Sequence, residues 1–294
     1  MADLHLESLL RDFLAHHGLP GGSLVRADGG VVNPCFLTDE HAIRVNVRDP
    51  ELPKFANEAV ALRLAASAIA VPEVVVLDTA RSVVPHDVLV TERIHAAAVE
   101  TLPEADQTAF VVPAAEWLAQ LHEVRAPGFG SLHAPSEVPN WPTFVAERME
   151  AATRAASERG FLTSAQLDRA ARRVLDGMPD TEPRLAHQDW HFGNLLQRDG
   201  RLVAALDFEW SQGFDVVAEL VAPLDGHPHR KRFIEAYRAV RPLPDDLEDR
   251  LERYTLLEQV TSLRIRADKL APAYAWAARE LEESLAWLRS RLGP

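Results

Sequence analysis

The chain has 294 residues, enough for one large domain or two modest lobes at roughly 100–200 residues per domain. Hydrophobic residues make up 47% and charged residues 26%, which excludes a disordered, collagen-like or low-complexity chain. Thirty-one basic against 44 acidic residues leave a net charge of −13, which argues against nucleic acid or an anionic membrane surface as partner.

In chain order, Leu6, Leu9, Leu10, Phe13 and Leu14 recur at helical spacing, with Gly18 as the stop. Ser23–Arg26, Val31–Leu37 and Ala42–Val47 read as strands, separated by Asp28-Gly29-Gly30 and by residues 38–41. Residues 51–67 read as a helix with Phe55, Ala59 and Leu62 on one face. Val71–Leu77 and Asp87–Glu92 complete a strand-rich N-terminal part. Beyond residue 92 the pattern becomes helical, over about 104–123, 141–158, 163–177, 229–240 and 245–292. One short β-rich patch between Arg184 and Phe208 interrupts it. Trp117, Trp276 and Trp287 fall in the helical patterns and are expected in packed positions, and Cys35 is expected to be a buried thiol. The expectation is an α+β chain with a β-rich N-terminal lobe, residues 1–92, and a mainly helical C-terminal lobe, residues 93–294.

A single cysteine excludes an internal disulfide framework and any multi-cysteine zinc site, and fits a reducing compartment. The start, MADLHLESLLRDF, carries acids where a secretory signal needs a basic stretch and then an apolar run. No stretch approaches the ~20 apolar residues that cross a bilayer. Both features lead to the expectation of a cytoplasmic protein.

The chemistry concentrates in LAHQDWHFGNLLQRDGRLVAALDFEW, residues 185–210. Asp199-Gly200 between two apolar runs predicts a two-residue hairpin turn. A regular hairpin then sets Asn194 opposite Ala205 and makes Asn194 and Asp207 diagonal neighbours, with backbones roughly 7–8 Å apart. Two oxygen-bearing side chains across that gap can hold a hard cation such as Mg²⁺. Asp189, five residues before Asn194, lies on the loop entering the hairpin. His187, Asp189 and His191 also alternate, which would put three metal-ligating types on one strand face. No third or fourth zinc ligand at a recognisable spacing accompanies them.

The arrangement His187-x-Asp189-x-x-x-x-Asn194, followed by Asp207-Phe208-Glu209, resembles the aminoglycoside phosphotransferase and choline kinase-like group of small-molecule kinases. In that group the first triplet is commonly His-Gly-Asp, and Gln188 replaces the glycine here. The resemblance implies a two-lobed, protein-kinase-like fold. Asp189 would be the catalytic base that orients the acceptor hydroxyl, Asn194 and Asp207 the Mg²⁺ ligands, and His187 a brace for the loop. Asp215 would support the C-terminal lobe and cap the helix beginning at Val216.

In the N-terminal part, Arg44 would stand for the group's usual lysine on the nucleotide side of its strand and pair with Glu58 on the next helix. Backbone groups around Glu92 to Ile94 would take the purine edge, and Asp28-Gly29-Gly30 lies where a phosphate-covering loop belongs. The implied function is Mg²⁺-dependent transfer of the γ-phosphate of ATP or GTP to a hydroxyl of a small molecule, an aminoglycoside-like antibiotic or a metabolite. Two other classes remain open at this point. One is a catalytically silent, kinase-like binding protein, and the other is a metal-dependent hydrolase built on His187, Asp189 and His191. Acids and bases are interspersed in the C-terminal helices, so the acceptor is not fixed by the sequence; nor is the choice between ATP and GTP, since backbone groups would take the purine edge, nor the oligomeric state.

Overall fold

The computed structural model describes residues 2–27, 33–224, 228–272 and 274–293. The expected phosphate-covering turn, Asp28-Gly29-Gly30, lies outside them. The strands are β1 (Val25–Arg26), β2 (Cys35–Leu37), β3 (His41–Val45), β4 (Val74–Asp78), β5 (Val88–Glu92), β6 (Ala97–Ala98), β7 (Gly130–Ser131), β8 (Arg184–Ala186), β9 (Leu195–Arg198), β10 (Arg201–Ala205) and β11 (Gln212–Phe214). The helices are α1 (Ala2–His16), α2 (Lys54–Ala65), α3 (Glu104–Gln107), α4 (Val111–Leu121), α5 (Trp141–Glu158) and α6 (Ser164–Leu175), then α7 (Val216–Glu219), α8 (Val221–Leu224), α9 (Arg230–Val240), α10 (Leu247–Ile265) and α11 (Ala275–Leu292). By compactness the chain divides into residues 1–135, 184–213 and 226–242 in one unit and 136–183, 214–225 and 243–294 in the other.

In the first unit an antiparallel sheet runs in the order β1-β2-β3-β5-β4. Alternation on β3 sends His41, Ile43 and Val45 to one face and Ala42 and Arg44 to the other. Ile43 and Val45, with Val88 and Val90 of β5, pack against Leu10, Phe13 and Leu14 of α1. Leu89 has the opposite parity and packs with Phe55 and Ala59 of α2. Burying side chains of this size stabilises by about 1.5–3 kcal/mol each, so both faces of the sheet are anchored. Arg44 pairs in register with Leu89 and therefore shares the α2 side of the sheet.

The hairpin β9–β10 closes at Asp199 and Gly200, with φ of 53° and 73°, the left-handed pair that a type I′ turn needs. Its register departs from the regular one. Leu202 opposes Gln197, but Ala204 opposes Leu196 and Ala205 opposes Leu195, so a bulge at Val203 inserts one residue. Asn194 consequently lies across from Leu206, whose N–H donates to the Asn194 carbonyl at 2.8 Å, and not from Ala205.

The helical segments also differ in detail from expectation. Residues 104–123 divide into α3, a 3₁₀ turn over Thr108–Phe110, and α4. The stretch 245–292 is broken into α10 and α11, and Pro272, which lacks an N–H, stands in the interruption. In the second unit Trp141 is fully buried among Phe144, Phe214 and Tyr254. Trp276, expected in a packed position, is 46% exposed and stacks on Tyr274. Trp117 and Trp287 are half-buried, as is Cys35. Among the described residues no helix is long and apolar enough to cross a membrane.

Candidate active site

The chemical residues of the first unit form two groups joined through the hairpin. The first surrounds Arg44. Its Nη1 donates to both carboxylate oxygens of Glu58, at 2.5 and 2.7 Å. Its Nη2 donates to Asp207 at 3.1 Å and to Glu209 at 3.0 Å. Ligand oxygens of Glu58, Asp207 and Glu209 lie within 4.8 Å of one another. Burial opposes the charge on Arg44, but the three carboxylates outweigh it and raise its pKa above the ordinary value. Burial, reinforced by Asp207 and Glu209 and opposed by Arg44, pushes the Glu58 carboxyl up to about 7.

Glu209 belongs to the Asp-Phe-Glu triplet, but from sequence only Asp207 receives a role. The structure separates them. The Asp207 side chain is 38% exposed and that of Glu209 is 3% exposed. Glu209 is enclosed by Arg44, by Asn33 Nδ2 at 3.3 Å and by Lys54 Nζ at 3.5 Å. Asp207 itself has φ +62°, a backbone turn immediately after the hairpin that an aspartate tolerates better than most residues.

The second group is the loop from His187 to Asn194. His187 is fully buried, its ring packed against Phe208. Its Nε2 lies 2.8 Å from the Leu206 carbonyl, and its Nδ1 accepts from the Asp189 N–H at 3.2 Å. A carbonyl can only accept, so Nε2 carries the proton, and both ring nitrogens are committed to holding the loop. This removes His187 from any metal set with Asp189 and His191, and with it the geometric basis for the hydrolase reading. Gln188 has φ +67°, the left-handed region where glycine carries no penalty. The glycine common at this position in the resembling group thus has a steric reason that Gln188 overrides.

Asn194 Nδ2 donates to the Asp189 carbonyl at 2.9 Å and to Asp189 Oδ2 at 3.0 Å. His191 Nε2 lies 3.6 Å from the same oxygen, an ion-pair distance rather than a hydrogen bond. Burial works to raise the Asp189 pKa, but His191 and Asn194 overcome it and hold the carboxyl below the usual range. The contact with Asp189 raises the His191 imidazole in turn. A Cβ at Gly193 would stand 2.5 Å from Glu100 Oε2 and 2.6 Å from the His191 ring, two exposed side chains that would have to shift to admit it.

The remaining predicted residues have contacts of their own. Glu92 ends β5, and its N–H donates to the Glu73 carbonyl at 2.9 Å; the Arg93 N–H donates to Glu40 at 2.8 Å. Ile94 follows, with its carbonyl accepting from the Ala96 N–H at 3.0 Å. In the second unit Asp215 caps α7 through the Val217 N–H at 2.9 Å, and its other oxygen accepts from the Tyr254 hydroxyl at 2.5 Å. The cap was expected; the tyrosine, 39 positions away, was not.

An antiparallel sheet flanked by α2, a catalytic-type loop with Asp189 and Asn194, and a carboxylate-rich turn after a hairpin together define a kinase-like phosphotransferase architecture. The profile of the phosphotransferase enzyme family, APH, matches residues 23–241, and the chain belongs to that family. No curated protein matches it significantly. Among solved structures, aminoglycoside phosphotransferase APH(4)-Ia superposes with a TM-score of 0.72 at 18% identity, covering 98% of this chain and 99% of that one. A thermostable mutant of the same enzyme, in ternary complex with ADP and hygromycin B, gives a TM-score of 0.70 at 19% identity, covering 94% of this chain and 97% of that one. A candidate fructosamine-3-kinase from Thermobifida fusca gives 0.64 at 20% identity, covering 91% and 93%. At these identities the likeness concerns the fold, a β-rich N-terminal lobe with a helical C-terminal lobe.

Proposed function

We propose that the chain transfers the γ-phosphoryl group of ATP or GTP to a hydroxyl of a small molecule, an aminoglycoside-like antibiotic or a metabolite, with Asp189 as catalytic base. The observation that carries this reading is the simultaneous bonding of the Arg44 guanidinium to Glu58 and Asp207. Cation, orienting carboxylate and metal-type carboxylate are thereby assembled in one compact unit together with the Asp189 loop.

Asp189 has one oxygen, Oδ2, held by Asn194, which leaves Oδ1 to accept from the acceptor hydroxyl. Its lowered pKa keeps it ionised at neutral pH. Phosphoryl transfer passes through a loose transition state, so the hydroxyl becomes acidic late, and orientation by Asp189 matters more than basicity. Arg44 carries the fixed positive charge that faces the phosphate oxygens.

Of the three clustered carboxylates, Glu58 and Glu209 are buried against Arg44 and Lys54, so Asp207 is the one exposed enough to meet a cation. Asp207 and the amide oxygen of Asn194 would be the hard-oxygen donors for Mg²⁺, which needs only one or two protein ligands besides phosphates and water. Mg²⁺ held there supplies charge neutralisation on the phosphoryl oxygens. With the N–H groups of Glu92 and Arg93 already donated to carbonyls, the purine edge is assigned to the Ile94 amide.

The test is a thermal-shift titration with ATP and with GTP, each with and without Mg²⁺, on the wild type and on Asp207→Ala. Binding to the native state raises the midpoint as ligand exceeds its Kd. A Mg²⁺-dependent rise that weakens in Asp207→Ala is expected, followed by turnover on hydroxyl acceptors that Asp189→Ala abolishes. No shift with either nucleotide at saturation would overturn the reading.

A further inference from the structure

Helix α2 presents Lys54, Asn57 and Glu58 at i, i+3 and i+4, which places them on one face. All three grip the segment Asp207–Ser211. Glu58 does so through Arg44, as described. Lys54, 5% exposed, lies 3.5 Å from Glu209 and 3.1 Å from Asp49, with its ammonium 4.3 Å above the Trp210 ring. Asn57, 7% exposed, makes the most contacts. Its Nδ2 donates to the Ser211 carbonyl at 2.8 Å and lies 3.5 Å from that of Glu209. Its Oδ1 accepts from the Leu132 N–H at 2.7 Å and the Ser131 hydroxyl at 3.0 Å, with the His133 N–H at 3.4 Å. One buried amide thus joins three backbone stretches: α2, the turn after β7 and the turn before β11.

We propose that Asn57 is a positioning residue for the phosphate-facing cation, fixing α2 so that Glu58 holds Arg44 in register with Asp207 before any ligand arrives. The proposal rests on the phosphotransferase reading. Its physical basis is the cost of an unmade buried hydrogen bond. If α2 swung away, the Leu132 N–H and the Ser211 carbonyl would be left without their buried partner, while Lys54 would leave Glu209. The Arg44–Glu58 pair is therefore built into the resting fold rather than formed on binding. Lys54 has the same task at the first turn of the helix.

Backbone hydrogen exchange of the ligand-free protein tests the fixing by itself. In the wild type, α2 amides should exchange as slowly as those of β5, with or without Mg²⁺ and ATP. Asn57→Asp keeps the size and the acceptor but sets a carboxylate oxygen against the Ser211 carbonyl, and it should speed α2 exchange by about tenfold or more while α10 is unchanged. Lys54→Met should do the same more weakly, and Lys54→Arg should restore slow exchange. In the folded variants the Kd for Mg²⁺ and ATP should rise by a similar factor.

Unchanged α2 exchange in Asn57→Asp overturns the fixing. Faster exchange with an unchanged nucleotide Kd overturns the positioning role and leaves a purely structural tie. A wild type that binds no nucleotide overturns the phosphotransferase reading instead, while the exchange data still decide whether Asn57 fixes α2.

Discussion

Arg44 and Glu58 meet in a two-point contact, Nη1 to both carboxylate oxygens at 2.5 and 2.7 Å, while the second guanidinium nitrogen reaches Asp207 and Glu209. A lysine presents a point charge on a flexible stem and cannot divide its donors between two directions in a fixed plane. The fork lets one prong hold Glu58 while the other faces the carboxylates of the turn.

Removing that fork leaves buried Glu58 without its partner and Glu209 with only Lys54 and Asn33. Arg44→Met is expected to destabilise by about 3–5 kcal/mol, the cost of breaking a buried ion pair from one side. Arg44→Lys should cost less, about 1–3 kcal/mol, because one carboxylate loses its donor while the charge stays. Urea unfolding of the three proteins measures both, and equal stability of Arg44→Met and wild type would contradict the network.

The Glu58 carboxyl, pushed up to about 7 from an ordinary 4.5 by burial and its acidic neighbours, binds a proton more readily in the folded than in the unfolded chain. Its contribution to stability is therefore fully present below about pH 4.5 and is lost as pH rises through about 7. Measured against Glu58→Gln, wild-type stability should fall between those values and level off above them. A difference that grows with pH would show that Arg44 dominates the burial.

Gln188 occupies a left-handed conformation with φ +67°. Gln188→Gly relieves about 1–2 kcal/mol of backbone strain and returns part of it through greater unfolded-state entropy. The expected outcome is a protein as stable as wild type or up to about 1 kcal/mol more so, read from the urea midpoint.

His187 satisfies the Leu206 carbonyl and the Asp189 N–H at once, inside the protein. His187→Leu leaves both without a partner, and at about 1–3 kcal/mol per unsatisfied group the loss should be about 2–6 kcal/mol. Because the loop it braces carries Asp189, phosphoryl transfer should fall further than the folded fraction does, which turnover per folded molecule reveals.

Tyr254 donates to Asp215 at 2.5 Å and accepts from Trp141 Nε1 at 2.9 Å, all three buried. Tyr254→Phe fits the same space and removes only the oxygen. Stability should drop by about 2–4 kcal/mol, the scale for losing a hydrogen bond to a buried carboxylate together with the partner of an indole N–H. Thermal unfolding checks this.

The sequence by itself determined the elements whose causes are local. The alternation in Ala42-Ile43-Arg44-Val45 places Arg44 on the α2 side of the sheet, and Asp199-Gly200 specifies its turn because both residues accept positive φ. The spacing from His187 through Asn194 to Asp207 singled out the stretch proposed as the site, and the stop after α10 was present in Pro272, although the helical periodicity on either side masked it. The tertiary structure decided whatever depends on an irregularity or a distant partner. The bulge at Val203 moved Asn194 from Ala205 to Leu206, since hydrophobic alternation fixes which face a residue takes but not whether one extra residue enters a strand. The division of labour between Asp207 and Glu209 is equally non-local. From sequence Asp207 is singled out and Glu209 is not, and the enclosure of Glu209 by Asn33, Arg44 and Lys54 makes it a buried counter-charge while Asp207 stays partly exposed.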